Sequence, residues 1–276
     1  MAMVERVILG LVSLGLVIPI RFEFSTTLQT LPKQGIAPPT PELLTPPSKL
    51  TSLPFAPGEH LRFDVDYGFI PAGTAEVKVV EDRGGLWRIE AIGKSRRFYD
   101  LVFPVRDEYT SIIDPMLRLP VRFIRSVSEG GYRLEQDYRF NWEQGWCETE
   151  EHRRRTPDLE DAFRMPGRVQ DMVSAFYFAR GYDFSALKAG ERFAIPTLVD
   201  GELYNLEIQY SGLETVEAAG RHWSCMVFHP VIQEGRIWSS PDDLTLYISA
   251  DERHIPVMVE SDLLIGAMRM TLVSAD

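Results

Sequence analysis

The sequence predicts a mainly β protein: an antiparallel curved sheet, either an open barrel or a two-sheet roll, built from two related β-meanders with one inserted helix. Three observations carry that expectation. Apolar and polar residues alternate through most of the chain after Leu61, Gly and Pro punctuate the alternating runs, and short patterns recur in the same order in the two halves. With 276 residues, 45% of them hydrophobic, the chain is long enough to bury a substantial core.

The elements follow in order. An apolar run from Val7 to Ile20 sits between Arg6 and Arg21. Its 14 residues fall short of the roughly 20 that a helix needs to cross a bilayer, so residues 1–24 are expected to be a signal peptide or an uncleaved signal anchor. Residues 25–54 hold Pro32, Pro38, Pro39, Pro41, Pro46, Pro47 and Pro54, a composition that suits an extended linker. This order, export segment then tether then body, implies an exported protein, periplasmic or anchored facing the periplasm.

In the body, residues 55–276, Leu61, Phe63, Val65 and Tyr67 alternate with Arg62, Asp64 and Asp66, and Ala75, Val77 and Val79 alternate with Glu76 and Lys78. Each run reads as a strand with one buried face. Further strands are expected from Trp87 to Ala91, Tyr109 to Ile113, Val121 to Val127, Tyr132 to Trp142, Phe193 to Leu198 and Leu203 to Tyr210. The last four run from Trp223 to His229, Leu244 to Ile248, Pro256 to Val259 and Ala267 to Val273. One segment differs: Val169, Met172, Val173, Phe176 and Tyr177 recur at helical spacing, which predicts a helix over about 168–181 with that stripe against the sheet and Gln170, Asp171 and Ser174 on the far face.

Repetition is visible at three places. Gly58-Glu59 matches Gly190-Glu191, Asp107-Glu108-Tyr109-Thr110 matches Asp242-Asp243-Leu244-Thr245, and Leu119-Pro120-Val121 matches Ile255-Pro256-Val257. The matches define internal repeats at about 55–149 and 187–276, and Pro120 and Pro256 are expected at equivalent strand starts.

The run Phe55-Ala-Pro-Gly-Glu-His-Leu, the pattern Ile70-Pro-Ala-Gly-Thr-Ala, Gln170-Asp171 with Ser174, Tyr177 and Arg180, and Ser249-Ala-Asp251 before Ile255-Pro-Val together resemble the bacterial domain of unknown function numbered 3108. The likeness covers roughly residues 55–275. It implies an exported, β-rich protein and brings no activity, cofactor or catalytic residue.

A net charge of −11 opposes recognition that begins by neutralising phosphates, so nucleic acid is not an expected partner. Arg153, Arg154 and Arg155 lie between acidic runs and read as a solvated loop. Cys147 and Cys225, the two cysteines, would be free to pair in an oxidising compartment or to stay as separate buried thiols.

Cys225 and His229 share a strand face but bring no third ligand, and His222 points the other way, so no metal site is expected. No P-loop, dinucleotide fingerprint, nucleophile elbow or zinc-protease motif occurs, and neither a catalytic residue nor a cofactor is assigned. Asp171, Ser174 and Arg180 are the candidate ligand-binding residues, set against a bland reading in which Asp171 caps the helix, Ser174 faces solvent and Arg180 pairs with a carboxylate. The expected function is a non-catalytic envelope protein that binds a lipid or glycan-lipid in the concavity of its sheet. A scaffold contacting another envelope protein is the alternative, and a hydrolase comes third.

Overall fold

The computed structural model describes residues 46–98, 103–154, 156–230, 244–262 and 266–276. The expected export segment and the linker up to residue 45 lie outside the described residues, as do Asp242 and Asp243. Among the described residues fourteen strands form the body: β1 His60–Tyr67, β2 Ile70–Glu81, β3 Trp87–Ser95, β4 Val105–Asp114, β5 Leu119–Glu129, β6 Tyr132–Asn141, β7 Trp146–Arg153 and β8 Leu159–Arg164 in the first half. After the helix α1, Met172–Ala179, come β9 Arg192–Val199, β10 Glu202–Ala218, β11 Arg221–Pro230, β12 Leu244–Ser249, β13 Pro256–Asp262 and β14 Ala267–Ala275.

All fourteen belong to one antiparallel sheet in the order β8-β7-β6-β5-β4-β3-β2-β1-β14-β13-β12-β11-β10-β9. Every strand therefore pairs with its neighbours in sequence, with two exceptions. The first and last strands pair with each other, Leu61 opposite Ala275, and β8 does not pair with β9. The sheet is a curved up-and-down meander open at that one seam, and the chain that would cross the seam forms α1 and fills the concavity instead.

Alternation decides which side chains enter the concavity. Leu61, Phe63 and Val65 on β1 and Ala75, Val77 and Val79 on β2 are buried with α1 in one continuous core, while Arg62, Asp64, Glu76 and Lys78 point outward. Outward charges pair across strands, as Arg122 does with Asp137 and Lys94 with Glu76, and along a strand, as Arg139 does with Asp137 and Lys78 with Glu76.

The two halves share a strand plan. Gly58 precedes the first strand of its half with φ +104°, and Gly190 precedes the first strand of the other with φ +92°. Gly58 N–H donates to Val79 at 2.8 Å and Gly190 N–H to Tyr210 at 2.7 Å, each on the second strand of its half. Pro120 and Pro256 both stand at the start of a fifth strand, as the second residue of β5 and the first of β13. Each stands beside a bulge: Pro120 lies opposite Ile113 and Arg122 opposite Ile112, leaving Val121 extra, just as Pro256 lies opposite Ile248 and Met258 opposite Tyr247, leaving Val257 extra. Two residues before each proline the backbone is left-handed, at Arg118 (φ +54°) and His254 (φ +45°).

Three expectations need correction. The helix is shorter than 168–181, because Val169 and Gln170 run extended and Gln170 exchanges two backbone hydrogen bonds with Pro196 and Leu198 of β9. It also has no solvent face: Asp171 and Ser174 are fully buried, since a helix inside a barrel is surrounded on all sides. The end of the expected linker is docked, with Leu50 N–H donating to Gly181 at 2.8 Å and Arg118 Nη2 to the Leu50 carbonyl at 2.7 Å.

Candidate functional site

The interior is organised by α1, and its two ends hold the candidate residues in separate surroundings. At the start, Asp171 is the N-cap. Its Oδ1 accepts the Val173 and Ser174 amides, both at 2.8 Å, while Ser174 Oγ accepts the Asp171 amide at 2.9 Å, which completes a capping box. The second carboxylate oxygen accepts a 2.6 Å bond from Ser111 Oγ of β4. Burial pushes the Asp171 carboxyl up to about 6, against the pull of the Ser111 and Ser174 hydrogen bonds.

At the other end Arg180 forms a buried fork with Glu59, Nη1 to Oε1 at 2.7 Å and Nη2 to Oε2 at 2.8 Å. Tyr177 adds a 3.1 Å bond to Glu59 Oε1, and Arg180 Nη2 also donates to the Arg253 carbonyl at 3.0 Å. Burial alone would lower the Arg180 pKa, but Glu59 holds it above the usual value. Burial raises the Tyr177 hydroxyl well above its ordinary range. Asp171 and Ser174 therefore work together at one end of α1, and Arg180 is engaged at the other. Apart from Arg180 Nε, which is buried without a hydrogen-bond partner, their polar side-chain atoms are spent on holding the helix within the sheet.

Beside this scaffold lie two apolar pockets. The first, of about 40 Å³, is bounded by Met172, Val173 and Phe176 of α1, by Leu61 and Phe63 of β1, and by residues from β2 to β4 and β12 to β14. The second, of about 50 Å³, lies between Ala175, Phe176 and Ala179 and the strands β9 to β12. Phe176 and Leu246 border both. Phe176 was expected among the buried stripe; it is half-buried between the fully buried Ala175 and Tyr177, because it stands at the boundary of the two spaces. Each pocket exceeds the ~10–15 Å³ that a water molecule requires, yet an apolar lining gives water almost nothing to bond, so an occupant must be apolar.

The family model described as "Protein of unknown function (DUF3108)" matches residues 62–273. The chain belongs to the DUF3108 family. None of the curated proteins matches it in sequence. Among solved structures, it is similar to the crystal structure of a beta-barrel-like protein of the domain of unknown function DUF1849 from Brucella abortus. That likeness is at 11% identity and a TM-score of 0.53, over 79% of this chain and 96% of that one. At that identity the likeness speaks for the fold alone.

In this DUF3108 chain a second buried polar cluster lies across the open seam. Arg125 of β5, 2% exposed, donates from Nη1 to Asp200 at 2.9 Å, and Asp200 sits in the β9–β10 turn. Gln136 Nε2 bridges Glu151 at 2.7 Å and Asp200 at 3.2 Å, and the Gly201 amide donates to the Tyr138 hydroxyl at 3.1 Å. The β9–β10 hairpin is thereby fastened to β5 and β6 through side chains where strand pairing is absent.

Among the described residues no group of three or more His, Cys, Asp or Glu is placed to hold a metal ion. His229 Nδ1 lies 3.3 Å from Thr245 Oγ1, His60 meets Glu76, His152 meets Asp158, and His254 meets the Arg180 carbonyl. Cys147 and Cys225 are separate buried thiols, pushed up by burial to about 12 and about 11, so neither is a ready nucleophile. Sequence reasoning missed Ser111, Glu59, Arg125 and Asp200, since each acts on a partner far along the chain. The Gly58-Glu59 repeat did mark one of them.

Proposed function

We propose that the protein is a non-catalytic envelope component that takes an apolar or amphipathic ligand, such as the chain of a lipid or glycan-lipid, into the space between α1 and the sheet. The observation that carries this reading is the pair of adjoining apolar pockets bounded by both halves of the sheet and by the helix. A closely packed interior would fill such space, because apolar voids forfeit dispersion contacts. Export supports the same reading and rests on the Val7 to Ile20 run and the proline-rich segment after it. The shared strand plan fits descent of both halves from one duplicated meander, which would place a pocket at their junction.

Native mass spectrometry of the full chain, released gently from expressing cells, tests the proposal. A retained lipid is the expected result. Delipidated and native samples with identical masses and identical melting curves would overturn it. Cell fractionation should find the body outside the cytoplasm, and a soluble cytoplasmic product with an intact N-terminus would refute export. The interaction-module reading has its own support in β8, whose outer edge has no strand partner and whose Leu159 is 59% exposed.

A further inference from the structure

We infer that the two pockets are one binding chamber divided by Phe176, which selects a linear hydrocarbon chain and sets how much of it the protein covers. This rests on the reading that the interior holds an apolar ligand, and it adds the shape of that ligand and the residue that limits it. Phe176 and Leu246 border both spaces, from the helix and from β12 respectively. The other walls differ: β1 to β4, β13 and β14 enclose one side, and β9 to β11 enclose the other. On the second side the helix presents Ala175 and Ala179, one turn apart, where larger residues would reach the sheet.

Neither space alone, at about 40 and 50 Å³, admits a fused-ring molecule. A straight chain passes from one to the other once the Phe176 ring turns aside. The residues around it favour that motion. Tyr177 is tied to Glu59 and Ser174 to the N-cap, whereas the Phe176 ring has no polar atom and its packed ring neighbour is Tyr177, centroids 6.2 Å apart. The one charged side chain bordering either space is Arg180, whose Nη atoms and charge are taken up by Glu59, leaving only its buried Nε without a hydrogen-bond partner. The enclosed part of the ligand is therefore uncharged hydrocarbon, and any head group stays outside.

Displacement of cis-parinaric acid, a straight-chain fluorescent probe, from the full chain by straight-chain alcohols, octanol to hexadecanol, reads the chain length at which affinity stops rising. Phe176→Ala should move that plateau to longer alcohols and tighten the longest by roughly tenfold, the effect of covering about two more methylenes. Ala179→Leu fills the second space and Phe176→Trp widens the partition, so both should move the plateau to shorter alcohols. Because each variant alters the helix, Phe176→Leu and circular dichroism at matched temperature accompany them, and the plateau is compared only among folded variants. Cholesterol should fail to compete. An unchanged plateau in every folded variant, or effective competition by cholesterol, overturns the partition and leaves ligand binding standing. Failure of all the alcohols to displace the probe overturns both.

Discussion

Asp171, the N-cap of α1, is a buried carboxylate whose partners are hydrogen-bond donors without a cation, and its behaviour with pH follows from that. Its folded pKa, about 6, lies above the ordinary 3.8, so between these values the folded state binds more protons than the unfolded state. Stability from this group is fully present below the unfolded value and is lost as pH rises through the folded one, a change on the order of 3 kcal/mol. Asp171→Asn keeps the cap, since Asn is as good an N-cap as Asp, and should flatten the pH dependence of urea unfolding between about pH 4 and 6. An unchanged slope would mean that Asp171 is hydrated in solution. A smaller effect is expected at Ala219, which has φ +51° before Gly220 in the β10–β11 turn. Ala219→Gly removes a left-handed alanine and should raise stability by about 1 kcal/mol in the same assay. The sequence offered Asp171 as a helix cap and Arg180 as the partner of a carboxylate, and both are found, but it misplaced Ser174 in solvent and hid the partners. Ser111 is 60 positions from Asp171 and Glu59 is 121 from Arg180, and no local pattern links residues so distant.

At the scale of elements, the hairpin β9–β10 is held along its outer edge by Gln170 and at its tip by Arg125. Removing Asp200 leaves Arg125 buried without its counter-charge, so Asp200→Ala should cost about 3–5 kcal/mol, and Arg125→Met added to it should recover part of the loss. Hydrogen exchange should quicken first in β9 and in the half of β10 that pairs with it, while β12 and β13 stay protected. Uniform acceleration throughout the sheet would show that the hairpin does not open as a unit. Twelve strands were legible from alternation, because each has a core-facing side, but β7 and β8 were not. In β7 the inward Cys147 and Thr149 are small, and Glu148, Glu150 and Glu151 dominate the run. Nearly all of β8 is exposed, as befits the last strand beside an open seam, so it has no apolar face to read. The helix was legible in place and composition. Its full burial was not, because periodicity reports one favoured face and cannot report a sheet wrapped around the rest.

At the scale of the molecule, α1 lies between halves that follow the same strand plan, and each half leaves a concave apolar face that only the other half and the helix cover. Residues 55–149 and 187–276 expressed separately should therefore show no cooperative unfolding transition, while mixing them with residues 150–186 retained on one piece should restore one. The pairing of β1 with β14 adds a constraint in time. Arg62 and Asp276, which meet at 2.6 Å, are 214 positions apart, and they belong to the middle of the sheet rather than to its border. Synthesis proceeds from the N-terminus, so β1 leaves the ribosome long before its partner β14 and waits with one flank bare until that strand follows. Closure of the ladder waits on β14, and until then the bare flank of β1 is the surface most in need of shielding from other chains.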